Sequence, residues 1–260
     1  MTAPAERIAR AKAELRAVEA DLVAALAQDR TRRRAPLVRM LHEVRRALGD
    51  GYRYASQAGQ DREIDRIFGG TAGGTFVDVG AYDGVTGSNT LFLEQVRGWS
   101  GVLVEPVAAQ RARAEVARKA PCLACAVAAE PGEADFVEIT AGYTQMSGLS
   151  ASYDAGLLRT VRANPRHAEV TTTVPCRTLS QILDEAGLPD PDFVSLDIEG
   201  GELDVLRAFP FDRHRVGAWA IENNAGTTAL REIMEPAGYV LVEFCGPDEI
   251  YRHRDLDPGR

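Results

Sequence analysis

Two textures of hydrophobic patterning divide the chain. Residues 4–29 repeat apolar side chains at helical spacing, with Ile8, Leu15 and Leu22 seven apart and Val18 and Ala25 on the adjoining line of the same face. The basic break "RTRRR" and Pro36 precede a second helical pattern, "PLVRMLHEVRRAL", which Gly49 and Gly51 close. Residues 1–50 therefore read as a helical hairpin ahead of a main domain at 51–260. As packing or dimerising helices they offer a surface for self-association; a lid over the active site is the other reading.

From residue 75 onward short apolar runs alternate with helical patterns. "TFVDVGA" precedes a helix near 88–97, and "GVLVEP" precedes one near 107–119. "CLACAVA" reads as a third strand, and "DFVSLDIEG" and "VGAWAIENN" are each followed by a helix. Continuous apolar strands separated by helices indicate βαβ units and a parallel sheet covered on both faces. At the end, "YVLVEF" and "EIYRHR" are joined by "CGPD" with no room for a helix, so an antiparallel hairpin closes the sheet. Between 129 and 177, "ADFVEIT" and "VTTTVPC" look like further strands around the polar loop "GYTQMSGLSASYD".

Composition narrows the partners. The chain is 45% apolar and 26% charged, as in soluble globular proteins. A net charge of -8 and a pI near 5.2 argue against a nucleic-acid or anionic-membrane surface, which needs a basic footprint. A small-molecule or saccharide partner is expected instead. No signal-peptide core or spanning apolar run is present, so the expected location is the cytoplasm. Cys122, Cys125, Cys176 and Cys245 are too scattered for a disulfide framework, and the C-x-x-C in "PCLAC" lacks the partners of a zinc set.

In an open α/β sheet, ligands bind beyond the carboxyl ends of the strands. The first strand ends in "DVGAYDGVTG", a turn rich in glycine that differs from the G-x-G-x-x-G of dinucleotide binders. The second ends in Glu105, where an acid accepts hydrogen bonds from ribose hydroxyls. Both ends indicate a nucleoside cofactor. Asp78, Asp83 and Asp197 favour the cationic sulfonium of S-adenosylmethionine over the pyrophosphate of NAD. Asp197, Glu222 and Asn223 supply hard oxygen ligands on one rim, the type Mg²⁺ prefers. In the plainer reading, Glu222 and Asn223 cap the helix of "AGTTALREIM" and Asp197 touches only the cofactor.

"YASQAGQD", "FVDVGAYDGVTGSNTLFLE", "GWSGVLVEP", "SLDIEGGELDVL" and "WAIENN" resemble, in order, the signatures of the FkbM family of S-adenosylmethionine-dependent O-methyltransferases, over residues 54 to about 251. The resemblance implies a class I, Rossmann-like methyltransferase fold, a seven-stranded, mostly parallel sheet with one antiparallel strand near its edge. It places Asp78, Gly80 and Gly84 around the methionine part, Ser88 and Gln57 near its carboxylate, and Glu105 on the ribose. The trio Asp197, Glu222 and Asn223 is similar to the magnesium set of catechol-type O-methyltransferases.

Two departures follow. Gly200 stands where metal-dependent relatives carry a Lys or His base, so the base is Glu199, a histidine such as His167 or His253, or metal-bound hydroxide; His42 and His214 are expected on the surface. After the third strand no acid is placed to read the adenine amino group, which leaves that task to backbone around Ala126. The expected activity is methyl transfer to a hydroxyl of a sugar, glycan or secondary metabolite. An NAD-linked oxidoreductase and a non-catalytic scaffold of the same fold are the alternatives. The acceptor pocket is expected from the loop between Gly142 and Asp154 together with the helical hairpin.

Overall fold

The structure, a computed structural model, describes residues 3–256. It opens with the hairpin α1 (Pro4–Gln28) and α2 (Arg34–Leu48), followed by α3 (Gln60–Ile67). The elements β1 (Thr75–Val79), α4 (Leu91–Arg97), β2 (Ser100–Val104), α5 (Ala108–Ala117) and β3 (Cys122–Leu123) form the first half of the sheet layer. An insertion then runs through β4 (Ala126–Val127), β5 (Gly132–Ala141), β6 (Gly148–Leu149), α6 (Ala155–Arg162) and β7 (Ala168–Arg177). The chain returns through α7 (Leu179–Glu185), β8 (Phe193–Leu196), α8 (Glu202–Ala208), β9 (Ala218–Glu222), α9 (Ala229–Met234), β10 (Tyr239–Cys245) and β11 (Asp248–His253).

Seven strands form the main sheet in the order β10-β11-β9-β8-β1-β2-β3. β11 is antiparallel to both its neighbours, and the pairs from β9 to β3 are parallel. Because the order reverses beside β1, its carboxyl end and that of β8 frame a crevice. Both sheet faces are covered, so the central strands are apolar throughout. Phe76 and Phe193 point into the core made with α1 to α4, whereas Val77, Val79, Val194 and Leu196 point into the core made with α7 to α9. Each such buried side chain stabilises the fold by about 1.5–3 kcal/mol.

The hairpin shares this core through Leu22, Leu26, Val38 and Leu41. Arg34 reaches from α2 to Glu243 of β10 with a 2.8 Å bond from Nε, and Arg32 at the α1–α2 turn reaches Glu249 at 2.7 Å. The helices thus cover an edge strand that would otherwise offer unpaired backbone groups. Most of α1 before Leu22 stays in solvent, with Ile8 and Val18 exposed.

"CLACAVA" is two strands, a departure from the single strand its apolar run predicts. Cys122–Leu123 closes the main sheet, whereas Ala126–Val127 starts a second sheet of order β4-β7-β5-β6. In that sheet β5 and β7 pair antiparallel along almost their whole length. Its Phe136 and Leu149 pack on Val107 and Ala126. The expected helix at 88–97 begins only at Leu91, because Ser88 and Thr90 turn their hydroxyls onto Asp78 instead.

Candidate active site

The site is assembled around the turn after β1. Gly80 has φ +81, and a Cβ there would overlap the carbonyl oxygen of Asp197 at the end of β8. Glycine at 80 is what lets the two strand ends touch. Gly87, with φ +68, leaves room for the Gln57 side chain, and a backbone bridge joins it to Ser56. Asp61 holds this strap, accepting from Ala55 N at 2.6 Å and from Ser56 Oγ at 2.6 Å.

Beneath the turn, Asp78 is buried and accepts from Thr90 Oγ1 at 2.6 Å and Ser88 Oγ at 3.3 Å. Burial raises its pKa, and the nearby Arg118 guanidinium opposes the rise. Arg118 pairs with Glu94 and donates to Gly84 O, Ser88 Oγ and Thr90 Oγ1. At the end of β2, Glu105 accepts from Val107 N at 2.7 Å and Tyr82 N at 3.0 Å. Burial pushes its carboxyl up to about 7 against these two N–H bonds. Tyr82 has φ +50, and its hydroxyl meets Thr144 Oγ1 at 2.6 Å, joining the turn to the insertion.

These parts line a cavity that opens to solvent. Gln57, Asp78, Gly80, Ser88, Glu105, Ala126, Asp197 and Glu199 all line it. So do Tyr82 and Phe136, which the sequence reading did not name, and Thr144 and Leu149 from the 142–154 loop in which it expected the acceptor pocket.

Asp83 and Gly84 are not in the lining. Asp83 turns back to Val85 N and Thr86 N at 2.9 and 2.7 Å, and Gly84 is small because Ala114 and Arg118 of the α5 region pack on it. Their role is to shape the turn.

Asp197, Glu199 and Glu222 bring carboxylate oxygens within 4.8 Å of one another. Burial is the largest cause raising all three pKa values, and repulsion from neighbouring acids adds to it, from Glu199 at Asp197, from Glu202 and Asp248 at Glu199, and from Asp197 and Glu199 at Glu222, while a hydrogen bond with Glu222 opposes the rise at Asp197. Asp248 stands opposite Glu222 in the β11–β9 register and adds to this repulsion, while Gln60 Nε2 donates to it at 2.9 Å. Asn223, the remaining member of the expected trio, is oriented through its Nδ2, which donates to Glu249 Oε1 at 2.8 Å and Thr227 O at 2.9 Å. Glu222 and Asn223 do not cap the next helix, which starts at Ala229 behind Thr228.

The histidines lie elsewhere. His253 ends β11, whose antiparallel direction carries it to the far end of the sheet, opposite Tyr239 and away from the rim. His167 bonds Glu169 at 2.8 Å in the insertion and does not line the cavity. His42 and His214, expected on the surface, are buried. His42 Nδ1 meets Tyr52 Oη at 2.8 Å, and His214 bridges Ser180 Oγ and Pro189 O at 2.7 Å each.

The sheet order, the glycine turn after β1 and the acid closing β2 define a class I methyltransferase. The Methyltransferase FkbM domain matches residues 78–241, more than half of the chain, which therefore belongs to the FkbM methyltransferase family. No curated protein matches it. Among solved structures, it is similar to methyltransferase FkbM from Methylobacillus flagellatus KT, with 16% identity and a TM-score of 0.42 over 70% of this chain and 44% of that one. The chain thus spans less than half the length of that protein. Precorrin-6y C5,15-methyltransferase from Geobacter metallireducens GS-15 aligns at 13% identity, TM-score 0.42, over 75% and 87% of the two chains. The METTL16 MTase domain aligns at 12% identity, TM-score 0.43, over 84% and 79%. No helix among the described residues is long and apolar enough to cross a membrane.

Proposed function

We propose that this methyltransferase moves the methyl group of S-adenosylmethionine to a hydroxyl oxygen of a sugar, a glycan or a secondary metabolite. The observation that carries the reading is that Glu105, Asp197 and Glu199 face one cavity across the β1 turn. In the order β2-β1-β8, the ends bearing Glu105 and Asp197 are two strand spacings apart, about 10 Å. A nucleoside held at Glu105 therefore extends past β1 toward Asp197.

The donor supplies an electrophilic methyl group on a cationic sulfur. Glu105, fixed by two backbone N–H groups, has lone pairs free for a ribose diol. Val127, Phe136 and Leu149 form an apolar slot suited to a purine ring, beside the backbone of Ala126. The positive charge of the sulfonium favours the ionised form of Asp197 and Glu199 beside it. One of the two carboxylates also takes the proton of the acceptor hydroxyl as the new O–C bond forms in line with the breaking C–S bond. Mg²⁺ suits the all-oxygen rim, where its charge favours a deprotonated acceptor oxygen.

The net charge supports a small-molecule or saccharide acceptor over nucleic acid, and four free thiols support a cytoplasmic setting. The exposed Ile8 and Val18 of α1 are the surface we assign to self-association. Calorimetry tests the central claim: S-adenosylhomocysteine binds and NAD does not. Binding of NAD alone would mean an oxidoreductase.

A further inference from the structure

Asp197, Glu199 and Glu222 are brought together by a backbone feature that spacing along the chain does not reveal. Glu199 adopts φ +60, a conformation rare for a side chain of its size, and Gly200 follows at φ +115. Gly148 makes room for it, since a Cβ at 148 would come within 3.3 Å of Glu199 Cβ. The turn is held by Glu202, whose two oxygens accept from Ile198 N, Gly200 N and Gly201 N at 3.0 to 3.2 Å. Glu202 thus builds the turn while Glu199 is left free.

The result is a buried set of acids with no basic side chain among the described residues paired to it. Glu199 and Glu222 are 7% and 8% exposed, and Oε2 of each has no hydrogen-bond partner among the described residues. No arginine, lysine or histidine among those residues forms an ion pair with Asp197, Glu199 or Glu222. The nearby Arg32 is committed to Glu249 Oε1, Asn223 O and Pro247 O at 2.6 to 2.9 Å. Orphaned buried carboxylate oxygens are costly unless something supplies positive charge. Oxygens on opposite sides of a Mg²⁺ ion are about 4.2 Å apart, so a set within 4.8 Å closes on such an ion by a small side-chain shift.

We propose that Asp197, Glu199 and Glu222 hold one divalent cation of the hard, oxygen-preferring kind, Mg²⁺ or Mn²⁺, with Glu199, which brings a third negative charge, as the third ligand rather than the neutral amide of Asn223. This rests on the methyltransferase reading and specifies the cation site beside its donor cavity. Asn223 is tied back to Glu249 and Thr227, and its substitution leaves the three carboxylates intact.

The test titrates Mn²⁺ into the full chain by calorimetry, with and without S-adenosylhomocysteine, and follows free Mn²⁺ by electron paramagnetic resonance. One Mn²⁺ per chain is expected. Glu199→Gln should weaken it by at least about tenfold and Asn223→Ala by less than about threefold, with thermal unfolding showing that both variants are folded. Should Glu199→Gln lose its fold, Glu222→Gln carries the same expectation. No Mn²⁺ uptake at millimolar concentration, with S-adenosylhomocysteine still bound, would overturn the cation site and leave the methyltransferase reading standing. Loss of Mn²⁺ in Asn223→Ala but not in Glu199→Gln would overturn the ligand set. Failure to bind either probe would remove both readings.

Discussion

Gly80 and Asp197 are in contact through the missing side chain of one and the carbonyl oxygen of the other, which occupies the place a Cβ would need. The glycine turn and the acidic strand end are therefore one unit. Gly80→Ala combines this overlap with a φ of +81. It is expected to destabilise the fold by more than about 2 kcal/mol and to abolish binding of S-adenosylhomocysteine. Thermal unfolding and calorimetry check this, and an unchanged midpoint would separate the two strand ends.

Glu105 makes stability depend on pH. Its folded pKa is raised to about 7 from an ordinary 4.5, so folding disfavours the charged form. The contribution is fully present below about pH 4.5 and is lost as pH rises through 7. The span corresponds to at most about 3 kcal/mol. Asp78 and the rim acids, also raised, act in the same direction. The unliganded protein is expected to melt at a lower temperature at pH 8 than at pH 5, and Glu105→Gln should flatten part of that slope. A midpoint constant from pH 5 to 8 would show that the acid is compensated.

Arg118 supports the donor turn from below. Its side chain is fully buried against Glu94 and donates to Gly84 O, Ser88 Oγ and Thr90 Oγ1. Arg118→Met keeps the bulk but leaves Glu94 charged and unpaired, and is expected to cost about 3–5 kcal/mol. Adding Glu94→Gln should recover a large part of that loss in denaturant unfolding; no recovery would make the bonds to the turn the dominant part.

The sequence reading placed Asp78, Glu105 and Asp197 at the cavity because each closes a continuous apolar run, and in a parallel sheet the ends of such runs lie side by side. It also contained an unused signal. The predicted antiparallel hairpin reverses the last strand, which puts Asp248 at the rim and His253 at the opposite end. Phe136 had no comparable signal, and the loop holding Thr144 and Leu149 was expected at the pocket without its individual residues, because β5 and β6 form a separate sheet whose docking depends on packing.

What the sequence determined by itself was therefore the sheet, its covered faces and the acids at its strand ends, since hydrophobic period and chain direction are local properties. Tertiary structure decided which side chains meet there. Asp83 and Glu199 each follow a strand at similar range, yet one turns back to its own backbone and the other swings over Asp197. That choice depends on the sign of a single φ angle at Glu199 and on the space left by Gly148, some fifty residues earlier in the chain.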